Sequence, residues 1–220
     1  MYNWDSCDLL VASSGEEIYR LNLDTGQFKE PFCMSFEGCR KMGFNPAYQL
    51  LACGGVTGVC EFWDPRARKS ISTLNVGNID GKISEISAIK FDTDSLTLGV
   101  GTSSGNCLFY DIRSSRPVFT KEHQYGLPIV DITFHNSSRK ILTTDKKLVK
   151  IWERDGPNQG KVLTNIETPA DINSLLMVED RRGPTGLIMM AGEQQRVMTY
   201  FVPQLGPYTP FTPYTPIHAL

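Results

Sequence analysis

Histidine is scarce in this sequence, with His123, His135 and His218 the whole supply. None of them stands in a His-Glu-x-x-His pattern, and neither a Gly-x-Ser-x-Gly elbow nor a phosphate-cradling glycine loop occurs. The usual equipment for nucleophilic, phosphoryl-transfer and zinc-hydrolase chemistry is therefore missing. The acidic residues stand singly in turns, where carboxylates hold backbone or face water. No Cys-x-x-Cys pair exists among the six cysteines Cys7, Cys33, Cys39, Cys53, Cys60 and Cys107. Most of these lie within apolar strand patterns, so they read as buried free thiols in a reducing, intracellular setting. There is no run of 18 apolar residues to cross a membrane, and Met1–Ser13 lacks the basic start and apolar core of a secretory leader. Net charge is only −2, which gives no global attraction to nucleic acid or anionic lipid. No segment sustains a helical period. The reading is of a protein with no catalytic residues, no cofactor, no metal, no small-molecule substrate and no membrane contact.

What the sequence does contain is a repeat. Cys60–Lys69 (CEFWDPRARK) returns at Cys107–Arg116 (CLFYDIRSSR), with apolar residues at alternate positions, then an aromatic, then Asp. That is the pattern of a half-buried strand ending where a carboxylate holds a turn. Weaker copies are Tyr19–Leu23, Val149–Glu153 and Val197–Phe201. With Asn22, Trp63, Tyr110, Trp152 and Tyr200 as equivalents, the steps are 41, 47, 42 and 48 residues. A repeat of this length with a Trp-Asp strand end predicts an all-β fold, a WD40-type β-propeller. One blade cannot bury both of its faces, so blades must stack in series.

Four strands per blade are predicted, with inner strands near Arg40, Ile86, Ile129 and Ile172. Turn residues punctuate them at Asn45-Pro46, Gly54-Gly55, Thr57-Gly58, Ser104-Gly105, Asp155-Gly156-Pro157 and Arg182-Gly183-Pro184. The first blade shows no inner strand before Cys7, and the last stops after its third. The expectation is an incomplete set of about four to five blades over residues 1–203. A Pro/aromatic-rich disordered tail then occupies residues 204–220.

Candidate sites follow from the repeat. Asp64 and Asp111 succeed Trp63 and Tyr110, where they can accept bonds from turn N–H groups. Asp145 lies before the strand of Trp152, where many WD repeats keep an Asp, and His123 stands 22 residues earlier, the usual spacing of its partner. The register is off by a residue or two, because Lys146 and Lys147 lengthen the turn. All seven of these residues are read as structural. Arg66 and Arg113 place guanidinium forks at the same corner of adjacent blades, suited to carboxylate or phosphate on a partner. Arg68, Lys69, Lys146, Lys147 and Lys150 add a patchy basic rim. Tyr125 and Leu127, around the turn-forming Gly126 and Pro128, either plug the gap between blades or anchor a partner at the rim.

The octet Glu122-His123-Gln124-Tyr125-Gly126-Leu127-Pro128-Ile129 resembles the nucleolar protein ten family of WD-repeat ribosome-assembly factors. So do Tyr19–Leu23, Trp63-Asp64-Pro65-Arg66, Tyr110–Ser114 and Tyr200–Pro207, which extends the similarity from about Ser6 to Pro207. The resemblance implies a seven-bladed nucleolar propeller that belongs to the small-subunit processome and serves 18S rRNA maturation. Processome proteins are then the partners, with pre-rRNA reached through the basic rim. It also implies further blades before Tyr2 and a longer charged C-terminal region, so the chain is expected to be truncated at both ends. An alternative class remains, a substrate receptor of a cullin-type ubiquitin ligase, since adaptors of such ligases favour Trp-Asp-x-Arg repeats.

Overall fold

Alternation of apolar residues becomes sheet throughout the computed structural model, which describes residues 1–76, 78–79, 82–180 and 183–202. The described residues form twenty-one strands and no helix. The tail at 204–220, with His218 and the Leu205-Gly206-Pro207 segment, lies outside them, as does Arg182.

Five sheets follow one another, each antiparallel with its strands in chain order. The first is β1 (Tyr2–Asn3), β2 (Asp8–Ala12), β3 (Glu17–Asn22) and β4 (Gln27–Cys33). The second is β5 (Cys39–Asn45), β6 (Leu50–Gly55), β7 (Val59–Asp64) and β8 (Lys69–Asn75). A short hairpin, β9 (Asn78–Ile79) and β10 (Lys82–Ile83), precedes the third sheet. That sheet is β11 (Ile86–Phe91), β12 (Thr97–Thr102), β13 (Asn106–Asp111) and β14 (Pro117–Glu122). The fourth is β15 (Asp131–His135), β16 (Lys140–Thr144), β17 (Leu148–Glu153) and β18 (Val162–Glu167). The fifth is β19 (Ile172–Asp180), β20 (Gly183–Gly192) and β21 (Met198–Phe201).

Four expectations need correction. An inner strand does precede Cys7: Tyr2 pairs with Leu9 and Asn3 with Asp8. In the first repeat the aromatic's place belongs to Leu21 and not Asn22. Met34 N donates to Glu16 O just as Val76 N donates to Gly58 O and His123 N to Gly105 O, which aligns Leu21 with Trp63 and Tyr110. Asn22 then matches Asp64, and its Oδ1 accepts the Thr25 N–H at 3.0 Å as a turn-capping carboxylate would. The inner strand of the fourth sheet starts at Asp131, because Ile129 and Val130 give their N–H groups to Thr102 O and Thr144 O on two different blades. Gly183-Pro184, read as a turn, belongs to β20.

Packing follows the register. In the second to fifth sheets the repeat residue pairs with a fully or nearly fully buried aliphatic: Trp63 with Leu51, Tyr110 with Leu98, Trp152 with Ile141, Tyr200 with Ile188. Separate apolar clusters join each sheet to the next, with Trp63 in the first seam and Trp152 in the third. Complete burial of one such aliphatic side chain stabilises by about 1.5–3 kcal/mol. The ring is not closed. Val11 and Tyr19, paired on the face of the first sheet turned away from its neighbour, are exposed, as are the paired Leu176 and Met189 on the last.

Candidate functional site

Antiparallel order sends alternate turns to opposite faces of the disc. On one face, here the upper, lie the turns between second and third strands together with the blade-to-blade connections. On the other, the lower, lie the turns between first and second and between third and fourth strands.

The upper face is built around His123. This residue leaves β14 just as the chain crosses to the next blade, and its imidazole is wholly enclosed. Its Nδ1 lies 2.8 Å from Asp145 Oδ2, and its Nε2 lies 2.7 Å from Thr143 Oγ1. Trp152 Nε1 donates to the same Thr143 oxygen at 2.7 Å. Because a carboxylate only accepts, Nδ1 carries a proton towards Asp145, and Nε2 and the Thr143 hydroxyl share the second bond. Every link in the chain Trp152–Thr143–His123–Asp145 is thus a hydrogen bond. The other Asp145 oxygen accepts the Lys147 and Leu148 N–H groups, both at 2.7 Å. Burial pushes the Asp145 carboxyl up, but the bonds from His123 and the two backbone donors outweigh it and hold the group below its usual range. The longer turn at Lys146-Lys147 therefore does not separate the pair.

Around this buried set the rim is open. Gly126 adopts φ +59°, and its backbone lies so close to Gly105 that a Cβ there would stand 2.9 Å from Gly126 Cα. The turn presents Tyr125, 47% exposed, whose hydroxyl donates to Glu167 Oε1 at 3.1 Å. Tyr125 consequently does not plug the gap between blades. Ile129 does so: it is fully buried against Gly101, where a Cβ would lie 2.6 Å from its side chain. Leu127 is half-buried, and Lys146 and Lys147 are exposed on the same face.

The lower face repeats one geometry on adjacent blades. Asp64 accepts the Arg66 N–H at 2.9 Å and both arms of its guanidinium, at 3.2 and 3.3 Å. Asp111 does the same for Arg113, at 2.9 Å from its N–H and 2.9 and 2.6 Å from its side chain. Both carboxyls sit below their ordinary range, Asp111 at about 2, chiefly through the bond from the arginine side chain. The arginines stay largely exposed. Each fork is engaged by its own turn, so it braces the corner before it meets any partner.

The patchy basic rim expected from sequence is dispersed. Arg66 and Arg113 lie on the lower face and Lys146 and Lys147 on the upper, Arg68 pairs with Glu30 at 2.7 Å, and Lys150 is buried with Nζ donating to Glu122 O at 3.0 Å.

Several residues escaped the sequence reading. Arg154, two past Trp152, is a lower-face tie between blades that reaches Asp92, Asp94, Asn136 and Asp155. The Trp-Glu-Arg-Asp order was its only signal. Asp8 in the first blade collects Arg20, Asn22 and Lys29 at 3.0, 2.9 and 2.7 Å. Burial opposes its ionisation, yet these three donors hold it at about 2.

A family model described as "Nucleolar protein 10-like, N-terminal domain", a β-propeller, matches residues 1–215. The chain belongs to the nucleolar protein 10-like family. Relatives in this family include Ribosome biogenesis protein ENP2 of Saccharomyces cerevisiae, 39% identical over 211 residues. Nucleolar protein 10 is 37% identical over 214 residues in Danio rerio and 36% over 213 in Homo sapiens. Each alignment covers 94% of this chain but only 28–30% of the relative. The chain thus spans less than a third of the length of these family members. Among solved structures, a chain of the "Crystal Structure of Mitotic Checkpoint Complex" superposes with TM-score 0.77 at 18% identity. It covers 94% of this chain and 61% of that one, a likeness of fold alone.

Proposed function

We propose that this chain is a non-catalytic propeller scaffold in ribosome biogenesis, acting in the nucleolus in assembly of the small-subunit processome and maturation of 18S rRNA. The carrying observation is the family match over residues 1–215, with relatives named for the nucleolus and for ribosome biogenesis. The chemistry of the site supports it. The buried His123–Asp145 pair is enclosed and completely bonded, so no substrate reaches it. What faces solvent is the kind of surface that docks other proteins: an aromatic, a half-buried leucine and two lysines on the upper rim, and braced arginines on the lower. Assembly factors are therefore the primary partners, and Tyr125 and Leu127 the residues assigned to contact them. Direct contact with pre-rRNA would fall to Lys146 and Lys147 on the upper face, too few for strong phosphate binding alone. The ligase-receptor alternative loses its main support, because both arginine forks fold back on their own aspartates.

Tagged chain expressed in cells tests the reading. Nucleolar signal and co-purification of small-subunit precursors and assembly factors are expected. Recovery of a cullin adaptor without precursors would overturn it. Tyr125→Ala is expected to reduce recovery of assembly factors while leaving the melting temperature within a few degrees.

A further inference from the structure

The six cysteines play no part in the scaffold reading, yet two of them are placed together. Cys39 opens β5 opposite Gly55, and Cys53 lies two residues from Gly55 on β6, so the register puts both side chains on one face. Both belong to the apolar seam between the first two blades, whereas Cys60 packs in the next seam, on the other face of the same sheet. Each thiol is the largest influence on the other's ionisation, and Cys39 Sγ itself donates to Lys41 O at 3.6 Å. A bulge at Arg40, where the register shifts between Cys39 and Lys41, gives β5 the slack to bring diagonal neighbours together. Their accessibility differs. Cys53 is fully buried, while Cys39 lines a cavity of about 410 Å³ with Ser13, Ser14, Glu37, Arg40 and Val56.

We infer that Cys39 and Cys53 form an oxidisable dithiol, in which a hydroperoxide entering this cavity converts the pair to a disulfide joining β5 and β6. Cys39 is the attacking sulfur because it is the one on the cavity wall. The neighbouring Cys53 lowers the Cys39 thiol below its usual range, while Cys39 and burial push Cys53 well above it, which favours the same assignment. In the first step the Cys39 thiolate attacks the nearer peroxide oxygen. The O–O bond breaks, Cys39 becomes a sulfenic acid, and the departing hydroxide takes up the proton that the Cys39 thiol released on ionising, giving the first water. In the second, Cys53 sulfur displaces hydroxyl from Cys39, giving the disulfide and a second water. Two thiols are oxidised by two electrons and one peroxide is reduced. Nothing in the scaffold role requires this chemistry.

The test is a peptide map of the reduced full chain after brief treatment with hydrogen peroxide and alkylation of the remaining thiols. The expected product links Cys39 to Cys53 while Cys7 and the exposed Cys33 still take up the alkylating agent. Cys39 should be consumed about tenfold faster than Cys33, although Cys33 is more accessible. In Cys53→Ala, which keeps the site small and apolar, Cys39 should accumulate as a dimedone-reactive sulfenic acid. Oxidation of Cys33 or Cys7 ahead of Cys39, or oxidation of Cys39 without linkage to Cys53 in the unaltered chain, would overturn the inference. Both outcomes are read on the unaltered chain, so they stand even if the variant fails to fold.

Discussion

The second and fourth blades solve the same packing problem with opposite chemistry. Each places a tryptophan, Trp63 or Trp152, one residue before the end of its third strand against a buried aliphatic. Around Trp152 the neighbours are His123, Thr143 and Asp145, and every polar atom is bonded. In the second blade Met34 stands where His123 does and Cys53 where Thr143 does. Gly55 follows Cys53 as Asp145 follows Thr143, and the Phe36 ring fills the space beside it. Trp63 Nε1 finds no acceptor among the described residues, and the indole instead packs at a tilt of 36° against the Phe32 ring, with centroids 5.4 Å apart. Even the buried charge at the next paired position changes sign. Glu61 accepts the Ser35 N–H at 2.9 Å, whereas Lys150 donates to Glu122 O. The two blades show that the fold requires a filled seam and a tethered entry strand, and accepts either a polar or an apolar means to both. Polar means demand complete satisfaction, because a partly satisfied buried network is costly.

The largest break expected follows from that demand. Asp145→Ala leaves the His123 Nδ1–H and two backbone N–H groups without their acceptor, and should cost about 3–5 kcal/mol in chemical denaturation. In the second blade the matching insult is steric. A Cβ at Gly55 would lie 2.4 Å from Phe36, so Gly55→Ala should cost about 1–3 kcal/mol by overpacking.

A sharper contrast comes from removing only the indole N–H. Both Trp→Phe changes lose ring volume. Trp152→Phe also strips a donor from Thr143, while Trp63→Phe removes a group that has no acceptor. The fourth-blade variant should therefore be the less stable of the two by about 1 kcal/mol or more in denaturant unfolding.

Acid should expose the difference next. The Asp145 carboxyl is held below its ordinary value of 3.8, so its contribution is fully present above that pH and is lost as pH falls through the folded value. Asp8, held at about 2, acts in the same direction in the first blade. The melting temperature should fall below about pH 4, and Asp145→Asn should flatten part of that slope. A slope unchanged in that variant would assign the acid sensitivity elsewhere. The smallest effect belongs to the exposed rim, where Tyr125→Phe loses one bond to Glu167 and should change stability by less than about 1 kcal/mol.

Much of this was legible in the chain because propeller strands announce themselves locally. Alternation and turn residues mark the sheets, and Asp64 and Asp111 bond within their own turns, only a few residues away. His123 and Asp145 were readable as a pair because their spacing is fixed by one intervening blade boundary. Long-range ties were not legible. Arg154 reaches Asp92 across 62 residues, and nothing in Trp-Glu-Arg-Asp distinguishes such a tie from a solvated charge. The first repeat was misregistered by one residue because Leu21 has taken the aromatic's place and Asn22 the carboxylate's. Tyr125 has two uses open to it in the sequence, plug or anchor, with the plug favoured. Its exposure depends on Ile129 already occupying the seam, a matter of volume that spacing does not encode. The basic rim failed for a related reason, since turns adjacent in sequence emerge on opposite faces.

The most direct test of the polar pin in the fourth blade is a double-mutant cycle on His123→Ala and Asp145→Ala, read by equilibrium unfolding in urea. The account predicts a coupling energy of at least about 1 kcal/mol between the two positions. Additive losses, with a coupling indistinguishable from zero, would contradict it.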